Sequence, residues 1–311
     1  MSMSLIPPSF DSLRVRVAAL SREGAAPFVT RFAPSPTGYL HLGHAASALF
    51  VWGIGRRLGA KIVLRIEDHD RGRCRAAFDA AIISDLAWLG FEPDEVTPRQ
   101  SERYDDYINA LDHLRRHEHV YGCRCSRKEI LNVTTVAGEE LMYPGTCRLA
   151  ALPVTVGNGV RLQMAAGGRT FDDLWLGVQT QEPAVQCGDV LLRDRDGYWT
   201  YQFAVAVDDH LQGVNLVVRG QDLTSSTARQ IILGEKLGRS SPAIFCHHPL
   251  LIEADGEKKL SKRQFSRSLA ALRDEGWSAP AVLGAAAYQA GLVTDARART
   301  LANLLEVFHD R

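Results

Sequence analysis

His41 and His44 stand three positions apart, directly after the turn-forming run Ala33-Pro34-Ser35-Pro36-Thr37-Gly38. Prolines fix the backbone of such a run, and Gly38 permits a positive φ or a close backbone approach. If a helix begins here, the two imidazoles share one face of its first turn. That end of a helix has unpaired N–H groups and the positive end of the macrodipole, which suits phosphate. Histidines there can donate to oxygens whose charge grows during phosphoryl or nucleotidyl transfer. A metal pair or plain surface would show the same two letters. A second cluster, Lys258-Lys259-Leu260-Ser261-Lys262-Arg263, follows Asp255-Gly256. Lysines are mobile point charges that suit a polyphosphate. A solvated basic turn would read the same way.

A third group is made of sulfur. Cys123 and Cys125 form a Cys-x-Cys pair and Cys147 follows downstream, while Cys74, Cys187 and Cys246 are isolated. Three thiolates make a strong zinc set. The six cysteines are too few for a disulfide scaffold, so the pattern suits a reducing compartment and a metal knuckle. On chemistry alone, His117 or His119 competes for a fourth ligand position.

The elements that must position these groups follow from periodicity. Phe28 to Phe32 reads as a strand, His41 to Leu58 as a helix closed by Gly59, and Lys61 to Ile66 as a second strand ending in Glu67-Asp68-His69-Asp70. Phe78 to Leu89 is helical again, closed by Gly90. Strand, helix, strand, helix is the grammar of a parallel α/β sheet. After about Arg115 the grammar changes to short strands, among them Gly159 to Met164 and Asp189 to Arg193. It returns with strands expected at Ala204 to Asp208 and Leu216 to Arg219, and a helix at Leu223 to Leu237. The tail from Ser268 is helical, with Pro280 opening a helix at its first position. The boundaries expected are an N-terminal extension (1–26), two halves of one α/β domain (27–115 and 201–267), an insertion (116–200) and a helical C-terminal region (268–311).

Composition narrows the class. With 311 residues, 46% hydrophobic and 23% charged, the chain is globular in type. Thirty-six basic and thirty-six acidic residues cancel, so net charge advertises no nucleic-acid partner, although a local basic face would still serve one. The most apolar stretch, Ala45 to Gly55, is too short for the roughly 20 residues of a bilayer span. No secretory signal is recognisable before Ala26, and a cytoplasmic monomer with no membrane partner is expected.

His41-Leu42-Gly43-His44 and Lys259-Leu260-Ser261-Lys262-Arg263 together resemble the His-Ile-Gly-His and Lys-Met-Ser-Lys-Ser signatures of class I aminoacyl-tRNA synthetases. Arg263 departs from the final Ser, while both lysines are kept. Arg31 to Gly38, Arg65-Ile66-Glu67-Asp68, Tyr201-Gln202-Phe203-Ala204, Val207-Asp208-Asp209-His210 and Val218 to Leu223 resemble the glutamyl branch. The resemblance runs from about Phe28 to Phe265. It implies an α/β fold with a Rossmann-type parallel sheet, a zinc-binding insertion and a short helical C-terminal region. For L-glutamate it implies Arg31, Ala33, Ser35, Glu67, Tyr201 and Arg219. A glutamate needs a cation for its side-chain carboxylate, which Arg31 and Arg219 offer in bidentate geometry. Its ammonium needs an anion, which Glu67 offers at a strand end. For ATP with Mg2+ it implies Gly38, His41, Gly43, His44, Lys259, Ser261 and Lys262, with His41, His44 and Lys262 as the catalytic set.

The stretch from Arg263 to Arg311 is too short for the anticodon-binding region of a discriminating glutamyl-tRNA synthetase. The chain therefore looks like the truncated paralogues of that branch, the glutamyl-Q tRNA(Asp) synthetase family. That resemblance implies formation of glutamyl-adenylate and transfer of glutamate to queuosine in the anticodon of tRNA(Asp). It also implies one structural zinc held by Cys123, Cys125, Tyr143 and Cys147. A shortened conventional glutamyl-tRNA synthetase, a glutamate-activating enzyme with a non-tRNA acceptor, and a non-catalytic tRNA-binding paralogue stand as alternatives.

Overall fold

A computed structural model describes residues 9–22, 27–70, 72–134, 141–251 and 267–309. Ten strands run in chain order: β1 (Val29–Phe32), β2 (Lys61–Leu64), β3 (Glu95–Val96), β4 (Val120–Cys123), β5 (Gly159–Leu162), β6 (Arg169–Asp173), β7 (Gly177–Gln181), β8 (Val190–Arg193), β9 (Leu216–Gly220) and β10 (Ile244–His248). The helices that matter for the site are α1 (Phe10–Arg22), α2 (Leu42–Arg57), α3 (Ala76–Leu89), α4 (Tyr104–His117), α5 (Arg127–Val133), α6 (Pro183–Gln186), α7 (Tyr201–Leu211) and α8 (Thr227–Lys236). Three short helices follow near the end: α9 (Leu269–Asp274), α10 (Ala279–Gln289) and α11 (Leu301–Leu305).

The central sheet is built from two pieces. β1, β2 and β3 pair in parallel, and β9 pairs in parallel with β10. The pieces meet where Asn215 donates its backbone N–H to Val29 O at 3.0 Å and its side-chain oxygen accepts from Val29 N at 2.8 Å. β9 therefore lies beside β1, and the chain leaves these two strands toward opposite sides of the sheet. A crevice opens at their carboxyl ends, where open α/β sheets bind ligands. β2 (Lys-Ile-Val-Leu) and β9 (Leu-Val-Val-Arg-Gly) are largely Val, Ile and Leu and are buried over those residues. α2 is buried along most of its length, from Leu42 to Gly55, and sits in the main core with the C-terminal helices. Gly59 and Gly90 take φ of 64° and 84° just past α2 and α3, as expected for helix ends.

Several expectations are corrected. Ala204 to Asp208 is not a strand but the middle of α7. A short apolar run buried on all sides has no period to separate the two states. The helix expected from Leu223 begins at Thr227, after a 3-10 turn over Gln221–Ser226. Pro280 is the second helical residue of α10, behind the cap Ser278. The strands within 116–200 fall in two different sheets. β4, β5 and β8 form a small antiparallel sheet of their own. The β6–β7 hairpin instead joins the central sheet, with β6 parallel to β10. Within the N-terminal span, α1 is docked, with Leu13 and Val17 in the main core and Phe10 edge-on to Phe308. Among the described residues no helix is long and apolar enough to cross a membrane.

Candidate active site and cysteine cluster

A cleft of about 720 Å³ opens at the carboxyl ends of β1 and β9. It collects Arg31, Ala33, Ser35, Glu67, Tyr201 and Arg219, and on its other wall His41, Gly43 and His44. Nine residues that the resemblance implies for glutamate and ATP thus share one cavity. Gly38 does not line it. Its φ is not positive, and an added Cβ would meet no protein atom within 4 Å. Lys259, Ser261 and Lys262 lie outside the described residues.

The two histidines cap α2. His41 is the N-cap residue, and its Nδ1 accepts from Gly43 N at 3.1 Å. His44 Nδ1 accepts from His41 N at 3.2 Å. A ring nitrogen that accepts carries no proton, so both neutral rings hold their proton on Nε2. The rings stand 4.0 Å apart. Burial lowers the pKa of His41; burial and then the His41 charge bring His44 down to about 3. Both rings are therefore neutral donors at neutral pH.

The arginines differ. Arg31 points Nε at Asp209 at 3.3 Å and donates to Val218 O. Arg219 donates to His247 Nε2 at 3.0 Å, Gln230 Oε1 at 2.6 Å and Thr227 Oγ1 at 2.9 Å. All three acceptors are neutral. Among the described residues no carboxylate lies within ion-pair reach of Arg219. Burial pulls its pKa below the usual arginine value. A buried guanidinium at a cleft wall without its own anion has room for one from a ligand.

Glu67 is placed by β2, with its N–H on Pro34 O at 3.0 Å. Its Oε1 takes two bonds from Arg65, at 2.9 and 3.2 Å. Burial pushes the Glu67 carboxyl up, while Arg65 and Arg31 pull it down. Arg65 is fully buried and also binds Asp209 at 2.7 Å and Gln212 at 2.8 Å. Burial acts to lower its pKa, but Asp209, Glu67 and Asp208 together raise it. Beneath the cleft, therefore, lies a network in which every charge faces its opposite.

Residue-by-residue reading missed the roles of Arg65, Asp209, His247, Thr227 and Gln230. The signal available was charge inside apolar runs, as in Ile62-Val63-Leu64-Arg65-Ile66-Glu67 and Phe203-Ala204-Val205-Ala206-Val207-Asp208-Asp209. Charges that interrupt a buried run must be paired.

The sulfur cluster lies apart from the cleft, at the end of the small sheet. The Sγ atoms of Cys123, Cys125 and Cys147 converge within 4.8 Å of one another, and all three cysteines are free. Cys125 and Cys147 are 3.5 Å apart, near the ~3.8 Å separation of two thiolates on a tetrahedral zinc. Tyr143 Oη lies 3.4 Å from Cys123 Sγ and 3.9 Å from Cys125 Sγ. Arg161 donates to Cys123 Sγ at 3.3 Å and stacks over the Tyr143 ring, which offsets the negative charge of a thiolate set. The donor set fits a metal. Among the described residues no histidine joins it. His117 Nδ1 is bound to His113 O and His119 Nδ1 to Gln163, so both competitors for the fourth position are engaged elsewhere.

Residues 27–289 match the family described as tRNA synthetases class I (E and Q), catalytic domain. The Glutamyl-Q tRNA(Asp) synthetase of Geobacter sulfurreducens is 41% identical over 251 residues, covering 80% of this chain and 79% of that protein. The protein of the same name from Burkholderia cenocepacia is 43% identical over 271 residues, covering 85% and 88%. The Glutamate--tRNA ligase of Nitratidesulfovibrio vulgaris is 41% identical over 245 residues, but the match spans only 52% of that protein. A crystal structure of a glutamate tRNA ligase from Elizabethkingia meningosepticum, in complex with its amino acid, superposes with a TM-score of 0.74 at 25% identity. It covers 92% of this chain and 66% of that one.

Proposed function

The chain belongs to the class I tRNA synthetase family of the glutamate and glutamine branch, and from that premise we propose that it activates L-glutamate with ATP and passes the glutamyl group to queuosine in the anticodon of tRNA(Asp). The observation that carries the substrate is Arg219, a buried guanidinium with only neutral partners. A glutamate side-chain carboxylate supplies the missing anion, with Tyr201 beside it. Arg31, already facing Asp209, adds a weaker second cation. Glu67 receives the ammonium group, and Ala33 and Ser35 border the amino acid.

In the first step a glutamate carboxylate oxygen attacks the α-phosphorus of ATP and pyrophosphate leaves. Positioning and fixed donors carry such a step without an acid–base pair. The Nε2–H groups of His41 and His44 donate to phosphate oxygens. Gly43 lets the chain approach, and the resemblance adds Lys259, Ser261 and Lys262 as further phosphate-binding groups. Mg2+ accompanies ATP and neutralises its oxygens. Zinc held by Cys123, Cys125 and Cys147, with Tyr143 as fourth ligand, stabilises the knuckle and takes no part in the chemistry.

Queuosine as acceptor is supported by the names of the relatives that match along most of their length. The shortened conventional synthetase is the second reading, because the ligase of Nitratidesulfovibrio vulgaris is equally identical over its matched half. One experiment separates them. Purified protein is given labelled glutamate, ATP and tRNA(Asp) from cells with and without queuosine, both with an intact terminal adenosine. Glutamylation only of the queuosine-containing RNA is expected; equal labelling would move the acceptor to the 3′ end. Glutamate-dependent pyrophosphate exchange with no RNA present is also expected, and Lys262→Ala should depress it far more than it changes folding.

A further inference from the structure

We propose that His69 is the general base of the transfer step, the group that takes the proton from the acceptor hydroxyl. The proposal rests on the reading of the cleft just given and adds the destination of that proton. His69 lies two residues beyond Glu67, lines the cleft, and tilts toward Tyr201 with ring centroids 6.0 Å apart.

Its protonation pattern is fixed from beneath. Gln100 Nε2 donates to Asp208 Oδ2 at 2.8 Å. A carboxylate only accepts, so the Gln100 amide has one orientation, with Oε1 turned to His69 Nδ1 at 2.8 Å. A carbonyl oxygen also only accepts. The proton of the neutral His69 ring must therefore sit on Nδ1, which leaves the lone pair on Nε2. Asp208 is itself immobilised by Arg103 at 2.5 Å and by the Tyr107 hydroxyl at 2.9 Å. A buried carboxylate, an amide and an imidazole thus form a chain from the core to the cleft, which holds the tautomer a base requires.

The other cleft histidines do not offer this. His41 and His44 hold their protons on Nε2, as donors. His248 Nε2 is bound by Ser47 Oγ at 3.0 Å, and His247 lies beneath the cleft with both nitrogens engaged. Among the described residues, His69 Nε2 makes no hydrogen bond. The cleft therefore has proton donors on its α2 wall, where phosphate charge develops, and a proton acceptor beside Glu67 and Tyr201.

In the step proposed, the acceptor hydroxyl oxygen attacks the carbonyl carbon of glutamyl-adenylate. The new ester C–O bond forms and the acyl–phosphate C–O bond breaks. AMP leaves with that electron pair, and the hydroxyl proton moves to His69 Nε2.

The test separates the two half-reactions in His69→Gln. Pyrophosphate exchange reports activation. Single-turnover transfer from preformed glutamyl-adenylate to queuosine-containing tRNA(Asp) reports the second step. Transfer is expected to fall about 100-fold, and at least tenfold more than exchange. Transfer within about threefold of the unsubstituted protein, or a parallel fall in both steps, would overturn the assignment. An unsubstituted protein without exchange activity would sink the reading of the cleft itself, and the proposal with it.

Discussion

Arg219 Nε stands 3.0 Å from His247 Nε2, and the other nitrogen of that ring stands 2.6 Å from the Asp173 carboxylate. His247 is thus interposed between a buried cation and a buried anion that would otherwise pair. Asp173 also accepts from the His247 backbone N–H and from Trp175 and Leu176, which cements it to β10. Its hold on Nδ1–H keeps Nε2 free to accept from Arg219 and Thr227. The arrangement aims the guanidinium while leaving its charge for a ligand. Asp173→Asn should therefore misplace Arg219 rather than abolish folding. A hydrogen bond to a charged group is worth about 1.5–3 kcal/mol, so the KM for glutamate in pyrophosphate exchange should rise about tenfold or more. The KM for ATP should stay within about twofold. Equal movement of both constants would show a general structural effect and refute the positioning role.

Much of this was legible in the residues, and the part that was not has a physical reason. β1, β2, β9 and α2 announce themselves by local period and by their flanking turns, so Arg31, Glu67, Arg219 and the two capping histidines fall where expected. The cysteine cluster is equally readable, because thiols have few other reasons to gather. Asp173, Gln100, Asp208 and His247 are different. Each is a polar residue whose partner is far along the chain, and no spacing rule links β6 to β10. The β6–β7 hairpin looked like part of an insertion because pairing into a distant sheet leaves no local mark. α7 looked like a strand at Ala204 to Asp208 because Phe203 to Asp209 are all buried, which leaves no amphipathic period.

The knuckle should come apart without the sheet. Tyr121, Cys123, Ile130, Tyr143 and Cys147 form a small cluster separate from the main core. A structural zinc contributes directly to folding of its surroundings. Removing it with a chelator is expected to abolish hydrogen-exchange protection in β4 and α5, with protection in β1, β2 and β9 retained. Tyr143→Phe should weaken zinc binding at least tenfold. Full affinity in that variant would remove Tyr143 from the ligand set, and protein purified without chelator yet free of zinc would remove the metal.

Asp85 is a buried carboxylate on α3 with neither oxygen hydrogen-bonded, and its ion pair with Arg273 spans 3.8 Å. Burial raises its pKa to about 6, with Arg273 pulling the other way. The folded state thus takes up a proton more readily than the unfolded chain. Stability linked to this group is full below the ordinary carboxylate value of 3.8 and is lost as pH rises through about 6. An unpaired buried polar group costs about 1–3 kcal/mol. Asp85→Leu is therefore expected to raise Tm at pH 7.5 by about 2 °C or more, with the advantage shrinking between pH 6 and 4. Parallel melting curves across that range would show that Asp85 is already satisfied.

The last prediction concerns Gly43, where the need for a glycine comes from a neighbouring ring. A Cβ at this position would lie 2.8 Å from His41 Cε1 and 3.0 Å from His41 Nδ1. The same ring caps α2 by accepting from the Gly43 N–H, so an alanine here must push away the imidazole that its own backbone binds. Once displaced, His41 loses the bond that keeps its proton on Nε2, and the donor facing the phosphates is no longer fixed. Loss of one preorganised donor costs about 100-fold or more in turnover. Gly43→Ala should thus lower the kcat of pyrophosphate exchange by about that factor. The KM for glutamate should hold, because Arg219 and Glu67 are untouched. The loss should not be recovered by changing pH between 7 and 8. Burial lowers the pKa of both rings, with His44 at about 3, so they stay neutral across that window and only geometry has changed. A Gly43→Ala variant with wild-type kcat would show that the capping contact does not position His41 for catalysis.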